Sequence, residues 1–257
     1  RKVSSAASDV YKRQVFNPAQ LMLDPFGTAA DKFRHPATGP ADDMHPGWPE
    51  STPFVQLPSS AVFPSGARMR LRPLLRSDSH AWRRQRIEDE EFLRPVEPTQ
   101  TMPWDAAHSQ QAWWNHLMYL RTAAREALVV PLVIEVEGQF VGQVTLGNIQ
   151  HSSIRDCWIG YWVHSAVQGA GVATAATALG VDHAFGRVGL HRVTATYLEH
   201  NPASGRVLAT NGFRHEGYLR RNLHINGAWQ DHHYVALVRE DYASSAVERL
   251  RQAGRLA

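Results

Sequence analysis

Two hydrophobic periods alternate along the chain from Ala67 onwards, and the switches between them mark out its elements. Met69, Leu71 and Pro73 alternate with Arg68, Arg70 and Arg72, the period-two pattern of a half-buried edge strand. The period then lengthens. Ser77 is placed to cap a helix running to about Glu91, with Asp78 at the positive end of its dipole. Pro95 and Pro98 make Leu93 to Met102 a loop, and a second helix fits Asp105 to Glu126. There Trp113, Leu117, Leu120 and Ala124 form one apolar stripe, and Arg121 and Arg125 suit the C-terminal end.

Strand patterns return at Leu128 to Val136 and Phe140 to Ile149, joined at Glu137, Gly138 and Gln139 as a hairpin. A further strand, Asp156 to Val163, runs into a glycine-bearing turn and a helix from about Gly171 to Phe185. His191 to Glu199 reads as a strand and Pro202 to Asn211 as a short helix. Phe213 to Ile225 and Trp229 to Val238 form a hairpin turning at Asn226 and Gly227. Ser244 to Ala257 reads as an amphipathic helix or a tail. This order implies an α/β (α+β) domain over 61–243, a mixed sheet with helices on both faces.

Ahead of it, Val15 to Pro64 carries nine of the 15 prolines without sustained periodicity, so 15–60 reads as an irregular extension. Arg1 to Gln14, RKVSSAASDVYKRQ, resembles translated adapter sequence and lacks the apolar centre of a secretory signal, so it is set aside from fold reasoning. That segment also removes a tempting inference from charge. Arg1, Lys2, Lys12 and Arg13 against Asp9 account for the whole formal excess of +3; the remaining chain is balanced and gives no reason to expect nucleic acid as a partner. No apolar run approaches the ~20 residues that cross a bilayer; the longest, Ala127 to Val136, is broken by Pro131. Cys157 is the single cysteine, so no internal disulfide can form, which fits a reducing, cytoplasmic setting.

Chemistry concentrates in Val163 to Thr174, VHSAVQGAGVAT. A glycine turn opening a helix leaves backbone N–H groups converging at the positive dipole end, a place for an anion, although such a turn also serves as a plain connection. The stretch has companions at set distances. Gln168, Gly171 and Ala173 are followed by Asn201 after the next strand, and by Asn211, Gly212 and Phe213 after the next helix. IGYWV at Ile159 to Val163, NPAS at Asn201 to Ser204, EGYLRR at Glu216 to Arg221, ING.W.DH at Ile225 to His232 and LRPVEPT at Leu93 to Thr99 complete the set. Together, over roughly Ala61 to Tyr242, they resemble the GNAT acyltransferase superfamily, and within it the bacterial RimJ/RimL type that acetylates protein N-termini.

The resemblance implies a mostly antiparallel sheet of about six or seven strands and acetyl-CoA as cosubstrate, with no metal. It places the pyrophosphate on the amides of Gly169, Ala170, Gly171, Val172, Ala173 and Thr174 beside Gln168. The pantetheine arm and the oxyanion fall along Tyr161, Trp162 and Val163, on a strand that splays from its neighbour. Asn201 serves the pantetheine amides, a helix N-cap, or both. The wider family's tyrosine eight residues after that asparagine is Ala209 here, so Ser204 becomes the proton donor to the departing thiolate. The RimL-type carboxylate aligns with Leu223, which holds no proton; Glu199 then ranks first as base, ahead of Glu97 and Asp231. An N-terminal amine with a reference pKa near ~8 arrives partly neutral and lessens the need for one.

Other residues read more plainly. His224, Asp231, His232 and His233 suggest a metal, but neighbouring strand residues point to opposite faces. Trp104, Trp113 and Trp114 line an acceptor groove or pack the core. The acceptor is a protein N-terminus, ribosomal or other; the rival is a small amine such as an antibiotic, polyamine or amino-acid analogue. Ala209 and Leu223 keep a catalytically silent CoA-binding module open, and the assembly is a monomer or homodimer.

Overall fold

The computed structural model describes residues 50–257; the adapter-like segment 1–14 and the extension as far as residue 49 lie outside the described residues. Eight strands form one sheet: β1 (Val55–Leu57), β2 (Ala67–Pro73), β3 (Val129–Val136), β4 (Gln139–Gln150), β5 (Asp156–Val163), β6 (Arg192–Leu198), β7 (Arg214–Ile225) and β8 (Ala228–Val238). Their order is β1-β2-β3-β4-β5-β6-β8-β7, with every neighbouring pair antiparallel except β5 and β6. β3 is buried at every position, as its mostly apolar run VVPLVIEV suits a central strand.

The sheet has one strand more than the expected six or seven, and β1 explains the difference. Val55 pairs with Met69 and Leu57 with Ala67, so β2 is not the edge, and a strand lies within the stretch read as irregular. Val55, Gln56 and Leu57 alternate, but three residues so close to Pro53 and Pro58 are too few to establish a period; the open side of β2 makes them a strand.

On one face lie the helices α1 (Ser79–Glu88), α2 (Glu90–Leu93), α3 (Trp104–Ala107) and α4 (Gln110–Arg125). The expected first helix starts one residue late, with Asp78 rather than Ser77 at the cap position. Asp78 is drawn away by charge. Its carboxylate takes two hydrogen bonds from Arg72, at 2.9 and 2.8 Å, and a third from the Leu75 N–H at 2.8 Å. Arg72 and Arg70 also bridge Glu135 on β3, whose carboxyl is held below its ordinary range by those bonds against the pull of desolvation. The second predicted helix divides at His108, and Ser109 caps α4 by accepting the Ala112 N–H at 3.2 Å. The stripe Trp113, Leu117, Leu120 and Ala124 is buried as its spacing predicts.

The opposite face carries α5 (Val172–His183), α6 (Pro202–Thr210) and α7 (Ala246–Gln252). α5 presses close because Gly180 has no side chain: a Cβ there would sit 3.0 Å from Ile159 and 3.1 Å from Val144. Of the two readings for the C-terminus the helix is the one observed. Asp182 on α5 anchors α7 by accepting the Ala246 and Val247 N–H groups at 2.7 and 3.0 Å.

His116 on α4 stacks on Trp82 at 5.8 Å. Burial, then the Arg86 charge, push its imidazole down to about 4. An unfolded chain protonates this histidine near pH ~6.5, so stability from the neutral ring is complete above that pH and is lost as pH falls toward 4. The residue as a whole is only half-buried, which discounts the full shift to about 2 kcal/mol. His116→Gln should therefore flatten the decline of urea-unfolding stability between pH 7 and 4.5 by about that amount. Parallel declines in the two proteins would refute this.

Candidate active site

β5 and β6 pair over only three positions, Asp156↔Arg192, Cys157↔Val193 and Trp158↔Thr194, and then part. On its other side β5 stays paired to β4 as far as Val163↔Gly142. Among the described residues no strand covers the far edge of β5 beyond Trp158. Its main-chain groups around Tyr161, Trp162 and Val163 therefore face an opening in the middle of the sheet, the splayed arrangement the resemblance implied. Such groups are strong hydrogen-bonding partners for an extended amide chain.

The opening leads to the glycine turn. After a short 3₁₀ turn at Ser165–Val167, Gln168 is extended, Gly169 has φ 75° and Gly171 has φ 79°, left-handed conformations that favour glycine. α5 follows at once without a side-chain cap, and its first bond is Ala175 N–H to Gly171 O at 3.0 Å. The amides of Val172, Ala173 and Thr174 thus precede any intrahelical acceptor. Nothing lies within 4 Å of a Cβ built on either glycine, so this backbone is bare. Ala170 and Val172 are buried and pin the turn, whereas Gln168, Gly169 and Gly171 are exposed. A turn with two left-handed glycines, open space above them and converging amides fits a pyrophosphate.

Two polar anchors hold this turn, and neither was legible as such. Asp89, buried between α1 and α2, accepts the Ser165 N–H at 2.7 Å and the Ser165 hydroxyl at 2.5 Å. Asn211, just past α6, donates through Nδ2 to Thr174 O at 3.1 Å and to Val207 O at 3.0 Å, while its own carbonyl accepts the Tyr242 O–H. The asparagine of the Asn211, Gly212, Phe213 motif therefore ties the end of α6 to the first turn of α5.

Asn201 caps α6: its Oδ1 accepts the Ser204 N–H at 3.2 Å, and Pro202 occupies the first helical position. Ser204 is half-buried in that first turn, with Oγ 3.0 Å from the Tyr161 hydroxyl. Tyr161 also reaches Ser204 O at 3.3 Å. Desolvation pushes its phenol up to about 12, with the Ser204 hydrogen bond acting in the other direction. Trp162 points to the opposite face; its Nε1–H donates to Gln143 Oε1 at 3.2 Å and Arg86 lies 4.8 Å over its ring.

The three candidate carboxylates separate. Glu97 is in an ion pair with Arg86, and Asp231 accepts the Arg221 N–H at 2.6 Å in a bulge of β7. Glu199 is exposed just past β6 and is in no ion pair among the described residues. Desolvation, then the charges of Asp231 and Glu199, raise the Tyr218 phenol. No hydrogen bond joins Glu199 to Ser204 or Tyr161 among the described residues. Ala209 is exposed on α6, and Leu223 is half-buried on β7.

His232 is buried while the His233 ring lies on Tyr197 at 4.7 Å, consistent with opposite faces of β8. Cys157 is buried, and desolvation pushes its thiol far above the ordinary range. Trp104 and Trp113 are core residues, the former donating Nε1–H to Arg86 O at 2.7 Å; Trp114 is half-buried beneath Arg76. The loop after α2 is tied to the β7–β8 turn: Pro98 bridges Ile225, and Thr99 Oγ1 accepts the Gly227 N–H at 2.8 Å. Arg94, Pro98, Thr99, Met102, Trp104 and Gly227 line a small groove there.

Known proteins share this fold. RimJ of Mycobacterium smegmatis, solved in complex with CoA-disulfide, superposes with a TM-score of 0.78 at 44% identity over 83% of this chain and 99% of that one. The [ribosomal protein uS5]-alanine N-acetyltransferase of Escherichia coli (strain K12) is 30% identical over 170 residues, 64% of this chain and 86% of that protein. The probable N-acetyltransferase YjcK of Bacillus subtilis (strain 168) is 38% identical over 105 residues, which are 41% of this chain and 58% of that relative. An acetyltransferase (GNAT) domain model matches residues 68–214, more than half of the chain and the whole span from β2 to the opening of β7. On that match, and on the fold that carries it, the chain belongs to the GNAT family and is an N-acetyltransferase.

Proposed function

We propose that this enzyme transfers the acetyl group of acetyl-CoA to the N-terminal amine of a ribosomal or other protein, within a complex holding both substrates, in the cytoplasm. The observation that carries the reading is the parting of β5 from β6 directly upstream of the bare glycine turn. The similarity to a uS5-alanine acetyltransferase and to RimJ supports a protein acceptor. Among the described residues no helix is long and apolar enough to cross a membrane.

Each part of the opening then has a task. The amides from Gly169 to Thr174 receive the pyrophosphate, with Gln168 at the rim. The free edge of β5 at Tyr161 to Val163 aligns the pantetheine amides, and an N–H there stabilises the oxyanion formed when the amine attacks the thioester carbonyl. Asn201 keeps the first turn of α6 in place so that Ser204 faces the leaving sulfur. The protons balance without an external acid. Bond formation releases one from nitrogen, cleavage of the C–S bond leaves its electron pair on sulfur, and sulfur gains one. Ser204 delivers that proton, and a water carrying the amine's proton restores its hydroxyl. Glu199 accepts the amine's proton through such a water when the acceptor arrives charged. To the loop and hairpin groove around Thr99 and Gly227 we assign the reading of the residues that follow the acceptor amine.

The test is incubation of the whole chain with acetyl-CoA and, in parallel, N-terminal peptides of ribosomal proteins, spermidine and an aminoglycoside, with products read by mass spectrometry. Acetylation at a peptide α-amine is expected. Acetylation of the small amines alone would overturn the acceptor, and CoA binding without turnover on any of them would overturn the catalytic reading.

A further inference from the structure

Two tyrosines clasp the first turn of α6 across the opening. Tyr161 comes from β5 and contacts Ser204; Tyr197 comes from β6 and fills the space beside the next residue, where a Cβ on Gly205 would meet its ring at 2.8 Å. They differ in what they present. Tyr197 offers a ring edge, whereas Tyr161 offers a hydroxyl to the hydroxyl assigned to the leaving sulfur.

We propose that Tyr161 is a positioning residue for acetyl transfer: its O–H donates to Ser204 Oγ and so turns the serine's own proton toward the opening. The inference rests on Ser204 being the proton donor. Ser204 Oγ has one proton and can accept from outside. Left alone, a serine in a helix's first turn satisfies itself on nearby backbone groups and points its proton away from substrate. The alternative acceptor for Tyr161, the Ser204 carbonyl, is farther away, at 3.3 Å against 3.0 Å. Burial keeps the phenol protonated across the working pH range, so it has a proton to donate. Once it donates, the serine proton cannot point back toward Tyr161. It is then free for an acceptor in the opening between β5 and β6.

The test is a cycle of Tyr161→Phe, Ser204→Ala and the double variant in the full chain, with acetyl-CoA and the best acceptor found. Tyr161→Phe keeps the ring that bridges β5 to α6. Losing one orienting hydrogen bond should lower kcat about tenfold and leave the KM for acetyl-CoA within about twofold, with no further loss in the Ser204→Ala background. An unchanged kcat in Tyr161→Phe, an equal loss with or without Ser204, or a loss confined to KM would each overturn the inference. Those outcomes are distinct from failure of the underlying assignment, which would appear as full kcat in Ser204→Ala itself.

Discussion

Gly171→Ala is expected to weaken CoA binding by about 10- to 100-fold, the loss of one charge-assisted hydrogen bond worth about 1.5–3 kcal/mol, while destabilising the fold no more than Gly138→Ala does. The two glycines make a matched pair. Gly171 has φ 79° and Gly138 has φ 75°, and neither has an atom within 4 Å of the position a Cβ would take. Each alanine therefore imposes about 1–2 kcal/mol of left-handed strain with no clash inside the protein. They differ in what the backbone does next. Gly138 turns the β3–β4 hairpin on the surface, whereas Gly171 aims the amides that open α5. Relief of strain at Gly171 rotates those amides, and the new methyl occupies space the phosphates would fill. Calorimetric titration with CoA and thermal melts of both variants give the comparison. Equal CoA affinity for the two, with equal melting shifts, would mean that the turn only connects β5 to α5.

That turn shows how far the chain can be read without coordinates. Its chemistry is local: a strand that ends, glycines where left-handed backbone is needed and a helix that starts are consecutive in sequence, so periodicity and turn chemistry locate them. The β3–β4 and β7–β8 hairpins and the α4 stripe were legible for the same reason. What escaped depends on partners distant along the chain. Asp89 holds Ser165 from 76 positions away, and in the sequence it looks like one more member of the acidic run Glu88 to Glu91. Asp78 has the right residue type for a helix start, yet the guanidinium of Arg72 outcompetes the helix dipole, because a bidentate charged pair outweighs a cap. β1 is too short to show a sustained period. Tyr161 was read for its backbone, since a period-two pattern says which face a side chain takes but not that a helix 43 residues later sets a serine against it. The carboxylates show the converse. Three were plausible by position, and two of them are engaged by Arg86 and the Arg221 amide, which only the fold reveals.

Ser204→Ala is the sharper trial of the chemistry, with kcat expected to fall about 100-fold, the lower range for losing a positioned proton donor, and the Kd for CoA expected to change little. The substitution is unusually clean here. The α6 cap uses the main-chain N–H of Ser204 rather than its hydroxyl, so Asn201 keeps its partner at 3.2 Å. Tyr161 keeps the Ser204 carbonyl as an acceptor, so the clasp between β5 and α6 survives. Alanine is also the better helix former. What disappears is one hydroxyl at the mouth of the opening. In water a thiolate leaves without help only when its thiol is acidic, and an alkyl thiol like that of CoA gains from a hydrogen bond formed as the C–S bond lengthens. That bond is strongest in the transition state, so its loss falls on kcat rather than on binding. Steady-state kinetics on the acetylated peptide, with CoA affinity measured separately, separate the two. A variant with unaltered kcat would show that the thiolate departs unaided or takes its proton from water, and would leave Ser204 a residue of the helix start alone.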